Sequence, residues 1–97
     1  MSSTQDYCDF VLDQLSLLSD ITIRKMMGEY VFYYKGKVFG GIYDNRFLVK
    51  PVEAAKKMMP DAHLEVPYPG GKKMLLVEDI DNREFLKKLV ESMVSDL

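Results

Sequence analysis

The stretch "EYVFYYKGKVFGGIYDNRFLVK", Glu29 to Lys50, constrains the fold most. Two turn signals divide it into three short strands. Lys35-Gly36 reads as a tight hairpin, because glycine tolerates positive φ. Asp44-Asn45 reads as a second, both residues tolerating left-handed backbone. The strands fall at 29–35, 37–43 and 46–50, and Pro51 ends the last. An antiparallel meander with short loops follows.

Such strands need apolar cover, and the flanking sequence supplies it. Residues 3–18 predict a helix. Ser3 or Thr4 caps it, Asp6 suits its positive end, and Tyr7, Phe10, Val11, Leu15 and Leu18 form its stripe, flanked by Cys8 and Leu12. "ITIRKM", 21–26, is β-branched and predicts a first strand. "VEAAKKMM", 52–59, predicts a short helix stopped by Pro60. Residues 60–71 hold three prolines and two glycines and predict a long loop. "KMLLVE", 73–78, predicts a fifth strand. Residues 82–97 predict the last helix, with Asp81 as cap, Glu84 completing a capping box, Ile80 and Phe85 as a staple, and a stripe running from Phe85 to Leu97. The order is α-β-β-β-β-α-β-α. The two long helices cover one sheet face, so the expected fold is a two-layer α+β domain spanning residues 1–97.

Cross-strand neighbours share a face. With two-residue loops at both turns, Phe32 lies opposite Phe39 and Gly41 opposite Leu48. One face then holds Val31, Tyr33, Val38, Gly40, Ile42, Phe47 and Val49, a set suited to packing beneath helices. The other carries Tyr30, Phe32, Tyr34 and Phe39 with Lys37, Arg46 and Lys50. Two readings of that second face stay open. It packs on the middle helix, the long loop or a second subunit, or it is a recognition surface. Rings beside basic groups are what protein interfaces and single-stranded nucleic acid platforms both use. The candidate contact residues are therefore Tyr30, Phe32, Tyr34, Lys37, Phe39, Arg46 and Lys50. Met26 and Met27 lie beside them and suit an adaptable surface.

Net charge is −2 with 13 basic residues, which gives no general attraction to nucleic acid while leaving room for a basic patch. At 97 residues the chain buries roughly 60–70% of its unfolded surface, enough for one core. One cysteine, Cys8, allows no intrachain disulfide. No segment approaches the ~20 apolar residues of a membrane span, and the first residues lack a basic leader followed by an apolar run. A cytoplasmic protein without membrane contact is the expectation.

No catalytic constellation emerges. His63 is the only histidine and sits in the loop without an orienting partner. Cys8 reads as a small packing group. "PGGKKM", 69–74, has the composition of a phosphate loop but not its spacing or its following helix, and reads as a turn entering a strand. Asp79, Asp81 and Glu84 explain themselves as helix-start residues. No cofactor, metal or catalytic residue is expected.

"RKMMGEYVFYYKGKVFGGIYDNRFLVK", 24–50, resembles the N-terminal domain of the TfoX/Sxy competence regulators. The pattern is Arg24-Lys25-Met26, Gly28, Tyr30, Tyr33, Gly36 and Phe39, closing with Phe47, Leu48 and Lys50. "VPYPGGKKMLLVE" and the last helix continue the resemblance, which spans roughly residues 4–96. Many relatives carry Phe where Met27 stands and Gly where Val31 stands. The resemblance implies a bacterial regulator whose two-domain members co-activate competence genes beside a cyclic-AMP receptor protein, and it supplies no catalytic residues. Ending at Leu97, the chain is expected to be a stand-alone N-terminal-type domain. The expected function is a non-enzymatic module contacting a protein, such as a transcription factor, or a second copy of itself. Direct nucleic-acid binding by the aromatic face is one alternative. A small-molecule enzyme or sensor built on the 60–71 loop, around His63 and Tyr68, is another.

Overall fold

The computed structural model describes residues 3–97. Its elements are α1 (Gln5–Gln14), β1 (Ile21–Met26), β2 (Glu29–Tyr34), β3 (Lys37–Ile42), β4 (Phe47–Val49), α2 (Glu53–Met58), β5 (Leu64–Glu65), β6 (Met74–Leu76) and α3 (Arg83–Met93), the last running into a 3-10 turn, Val94–Asp96. The strands form one antiparallel sheet in the order β1-β2-β3-β4-β6-β5. The fold is α+β with a meander sheet, as expected. The addition is β5, a two-residue strand within the predicted loop that pairs with β6.

Three successive hairpins turn on residue pairs with positive φ at both positions: Met27-Gly28 (52° and 83°), Lys35-Gly36 (52° and 80°) and Asp44-Asn45 (both 54°). This is the geometry whose twist matches that of the flanking strands. The short connections leave the meander no alternative order.

The core lies between the sheet and the helices. α1 and the turn after it contribute Cys8, Val11, Leu15 and Leu18, and α3 contributes Leu86, Leu89, Val90 and Met93. The apolar stripe of α1 therefore runs through Cys8 rather than Phe10, which is 42% exposed. The helix starts at Thr4, whose hydroxyl accepts from the Tyr7 amide, and it ends sooner than predicted. α3 starts one residue later than predicted. Asn82, not Asp81, is its cap and accepts from the Phe85 amide at 3.1 Å. That shift removes the expected capping box, because Glu84 no longer stands three residues beyond the cap. Arg83 ties the helices together, pairing with Asp13 at 2.6 Å and donating to the buried Gln14 at 3.3 Å.

The sheet's contribution to this core corrects the sequence reading. Tyr33 pairs with Val38 as expected, but Phe32 then pairs with Gly40 rather than Phe39. Phe39 is the extra residue of a β-bulge. A one-residue slip exchanges the faces of everything beyond it. Tyr30, Phe32, Tyr34 and Phe39 consequently share the helix side with Ile42, Phe47 and Val49, and the first four are only 2%, 0%, 5% and 0% exposed. They are core residues and offer no contact surface. Phe32, Phe39 and Phe47 form an aromatic trio with centroids 5.8–6.4 Å apart and two edge-on contacts. Gly40 and Gly41 permit the bulge. A Cβ on Gly40 would strike the Leu48 carbonyl and Val49, and one on Gly41 the Tyr30 carbonyl, so neighbouring backbone occupies both places.

Candidate functional site

The face turned away from the helices is the remaining surface of the sheet. Register places Val31, Tyr33, Val38, Gly41, Tyr43, Arg46 and Leu48 there, continuing to Lys50. Leu48 is fully buried yet stands outside the helix-side cluster, so this face is partly covered too. The segment that follows β5 returns to this face at Arg46 and Tyr43.

Arg46 holds that segment in place. Its guanidinium pairs with Glu65 at 2.6 Å and donates to the carbonyls of Val66 (3.1 Å) and Pro67 (3.4 Å), while its Nε donates to the Tyr43 carbonyl at 3.1 Å. The planar fork of arginine suits several fixed acceptors at once. Arg46 is thus a clamp inside the molecule rather than a free contact group. Lys37 and Lys50 are exposed, at strand ends.

The clamp sets Tyr68 beside Tyr43, with ring centroids 6.0 Å apart and planes tilted by 55°. Tyr43 lies across Gly41, where a Cβ would be 2.8 Å from its ring. Burial pushes the Tyr43 phenol above its ordinary pKa, and the nearness of Tyr68, Glu29 and Tyr33 adds to the shift. Tyr68 itself is 55% exposed. The tyrosine pair separates two depressions. One, of about 480 Å³, is bounded by Met26, Met27, Glu29 and Val31. The other, of about 680 Å³, is bounded by Val38, Lys50, Lys72 and Lys73.

Hydrogen bonds tie down one part of the first depression's frame. The Glu29 carboxylate accepts from the Ser3 amide and hydroxyl and from the Asp44 amide, and Asn45 accepts from the Thr4 amide at 2.9 Å. The start of the described chain is thereby pinned to the β3–β4 turn. Beside Glu29, Met27 is fully exposed, in left-handed backbone at the tip of the first hairpin, and Met26, the strand partner of Glu29, is half exposed. Left-handed backbone is uncommon for any residue with a Cβ.

His63 is exposed and lies outside both depressions. Cys8 is fully buried, and burial, followed by nearby Asp9, raises its thiol's pKa, the reverse of activation. Among the described residues no group of three His, Cys, Asp or Glu could hold a metal ion, and no helix is long and apolar enough to cross a membrane. The sequence reading found the clustering of Met26 and Met27 but not their meeting with Tyr68. The available signal was a bulky residue before Gly28 in a hairpin turn, and a tyrosine held between Pro67 and Pro69.

The family model of the TfoX N-terminal domain matches residues 13–95. This chain belongs to the TfoX N-terminal domain family. The match takes in every strand, α2 and α3, and thus both depressions and the tyrosine pair between them. The chain is also 34% identical over 80 residues to a protein of Spirochaeta aurantia described as an uncharacterized 12.7 kDa protein in the trpE 5′ region, covering 82% of this chain and 70% of that one. No solved structure matches.

Proposed function

We propose that this TfoX N-terminal domain is a non-catalytic module that adjusts transcription by docking on a protein partner. The contact is the Met26, Met27 and Tyr68 rim of the open sheet face. The observation that carries this reading is Met27, a large apolar side chain fully exposed in left-handed backbone. Burying such a side chain on a partner gains about 1.5–3 kcal/mol. Methionine adapts its shape to the surface it meets, and tyrosine is enriched where partners dock.

The test is a photo-crosslinking residue at position 27, with a control at Lys88 on the far side of α3. A transcription factor of the cyclic-AMP receptor type is the first partner to co-express. A discrete adduct from position 27 alone, together with loss of competence-gene reporter output in Met27→Asp, is the expected result. Equal crosslinking from both positions, or an unchanged reporter, contradicts the reading. An adduct only with a second copy of the chain would replace a heterologous partner with self-association.

A further inference from the structure

We propose that the larger depression is a binding site for a mononucleotide, its planar ring against Tyr68 and its phosphate among Lys50, Lys72 and Lys73. This goes beyond the protein contact of the Met27 rim and does not depend on it.

Charge is the first support. The chain has 15 acidic residues against 13 basic ones, yet the lining of this cleft carries three lysines and no carboxylate. The ion pairs among the described residues are Arg46–Glu65 and Arg83–Asp13, so none of the three lysines is neutralised by a neighbour. All three are solvent-exposed and hydrated, and an anion held between them gains from each. The cations of the lining are lysines, which bind a phosphate as point charges.

Shape and apolar content decide what accompanies the anion. The cleft of about 680 Å³ lies within the ~300–1,000 Å³ range of small-ligand sites. Val38, Val52 and Met74 give it apolar walls too large for phosphate alone. Tyr68 is set in advance. Its ring rests beside Tyr43 and over Gly71, where a Cβ would be 2.9 Å from it, and its carbonyl accepts from the Gly71 amide at 2.9 Å. A ring already fixed costs little to order on binding, and aromatic rings stack on nucleobases.

A single nucleotide fits better than a strand. A strand needs a continuous basic track. Beyond Tyr68, however, the neighbouring depressions bring in Glu29 on one side and Asp44 on the other. The "PGGKKM" segment thus acquires a role without being a phosphate loop. Its lysine side chains, rather than a cradle of amides at a helix start, meet the anion.

Titration of the isotope-labelled chain with AMP, inorganic phosphate and a short oligothymidylate tests this directly. AMP is expected to shift the amides of Val38, Tyr68, Gly71, Lys72 and Lys73. Phosphate alone binds about tenfold more weakly, since it leaves the ring contact unmade. Tyr68→Ala weakens AMP binding by about tenfold, and Lys72→Gln with Lys73→Gln does so by tenfold or more. Lys88→Gln, on the exposed side of α3, leaves it unchanged. The proposal is overturned if AMP shifts none of these amides, if phosphate binds as well as AMP, or if the substitutions have no effect. Oligothymidylate binding more than tenfold tighter than AMP also overturns it, in favour of a strand reader. Because binding is read directly, these outcomes are independent of any crosslinking result at position 27.

Discussion

The ring of Tyr43 rests on the bare backbone of Gly41, with the space for a Cβ taken up 2.8 Å from Tyr43 Cε2 and 3.0 Å from Oη. The Tyr30 carbonyl crowds the same space from the neighbouring strand. Gly41→Ala must therefore displace the ring and also strain the pairing of β2 with β3. A loss of about 1–3 kcal/mol is expected, the usual cost of an inserted methyl with nowhere to go. Urea unfolding should show a lower midpoint at unchanged slope. Adding Tyr43→Ala should restore only part of the loss, because the carbonyl remains. Full restoration would show that the ring was the whole obstacle.

Arg46 donates to the carbonyl of the same tyrosine. Three of its acceptors, on Glu65, Val66 and Pro67, belong to the segment it clamps. Arg46→Lys keeps the charge but not the fork, so it should retain the Glu65 pair and lose the carbonyls. The cost is about 1–2 kcal/mol, held down by the partial exposure of the pair. The diagnostic consequence is local. Amides of residues 66–73 should exchange faster, while those of β2 and β3 keep their protection. Uniform acceleration across the sheet would mean that Arg46 supports the whole fold rather than this segment.

The meander was legible because its signals are local. Lys35-Gly36 and Asp44-Asn45 each fix a hairpin within four residues, and β1 was bounded without error. The register between β2 and β3 was not legible, since a bulge depends on how Gly40 meets the Leu48 carbonyl on a third strand. That one displaced residue, Phe39, carried the aromatic set to the helix side and took the expected contact face with it. The cap read from the sequence was Asp81, and the structure moves it to Asn82. The turn in which the Asn82 amide donates to the Asp79 carbonyl goes with the choice of Asn82. The candidate site was less legible still. It joins Met27, Tyr43 and Tyr68 from three separate segments, and the Arg46 clamp and the β5–β6 pairing bring the third to the first two.

Stability should fall in alkali, and the order of events follows from burial. Cys8, Tyr7 and Tyr43 each have a pKa raised chiefly by burial, from ordinary values of 9.0 for the thiol and 10.0 for the phenols. For Tyr7, hydrogen bonding from the Phe47 backbone partly offsets the rise. Each group is neutral when protonated, and the folded chain holds its proton more tightly than the unfolded one. Their stabilising contribution is therefore complete below the ordinary values and is lost as pH rises through the folded ones. Unfolding free energy should be flat near neutrality, start to decline above pH 9.0 through Cys8 and steepen above 10.0. Tyr43→Phe should flatten the second part of the decline and leave neutral stability almost unchanged. A parallel decline in that variant would remove Tyr43 from the account.

Phe32 and Tyr68 make opposite predictions, and that contrast tests the reassignment of the faces. Phe32 is fully buried between Phe39 and Phe47. Phe32→Ala should cost about 3–5 kcal/mol through lost burial and a cavity. A small domain holds only about 5–15 kcal/mol in total, so this variant is close to unfolding, and any loss of binding by it says nothing about contact. Phe32→Leu is the better probe. It keeps most of the volume and should lower stability measurably while leaving AMP binding and position-27 crosslinking intact in the folded fraction. Tyr68→Ala should cost far less stability, about 0.5–1.5 kcal/mol for the lost contact with Tyr43, and weaken binding. If Phe32→Leu impaired contact at full stability, the ring would have to be reachable from outside. The bulge at Phe39, and the two-sided sheet built on it, would then be wrong.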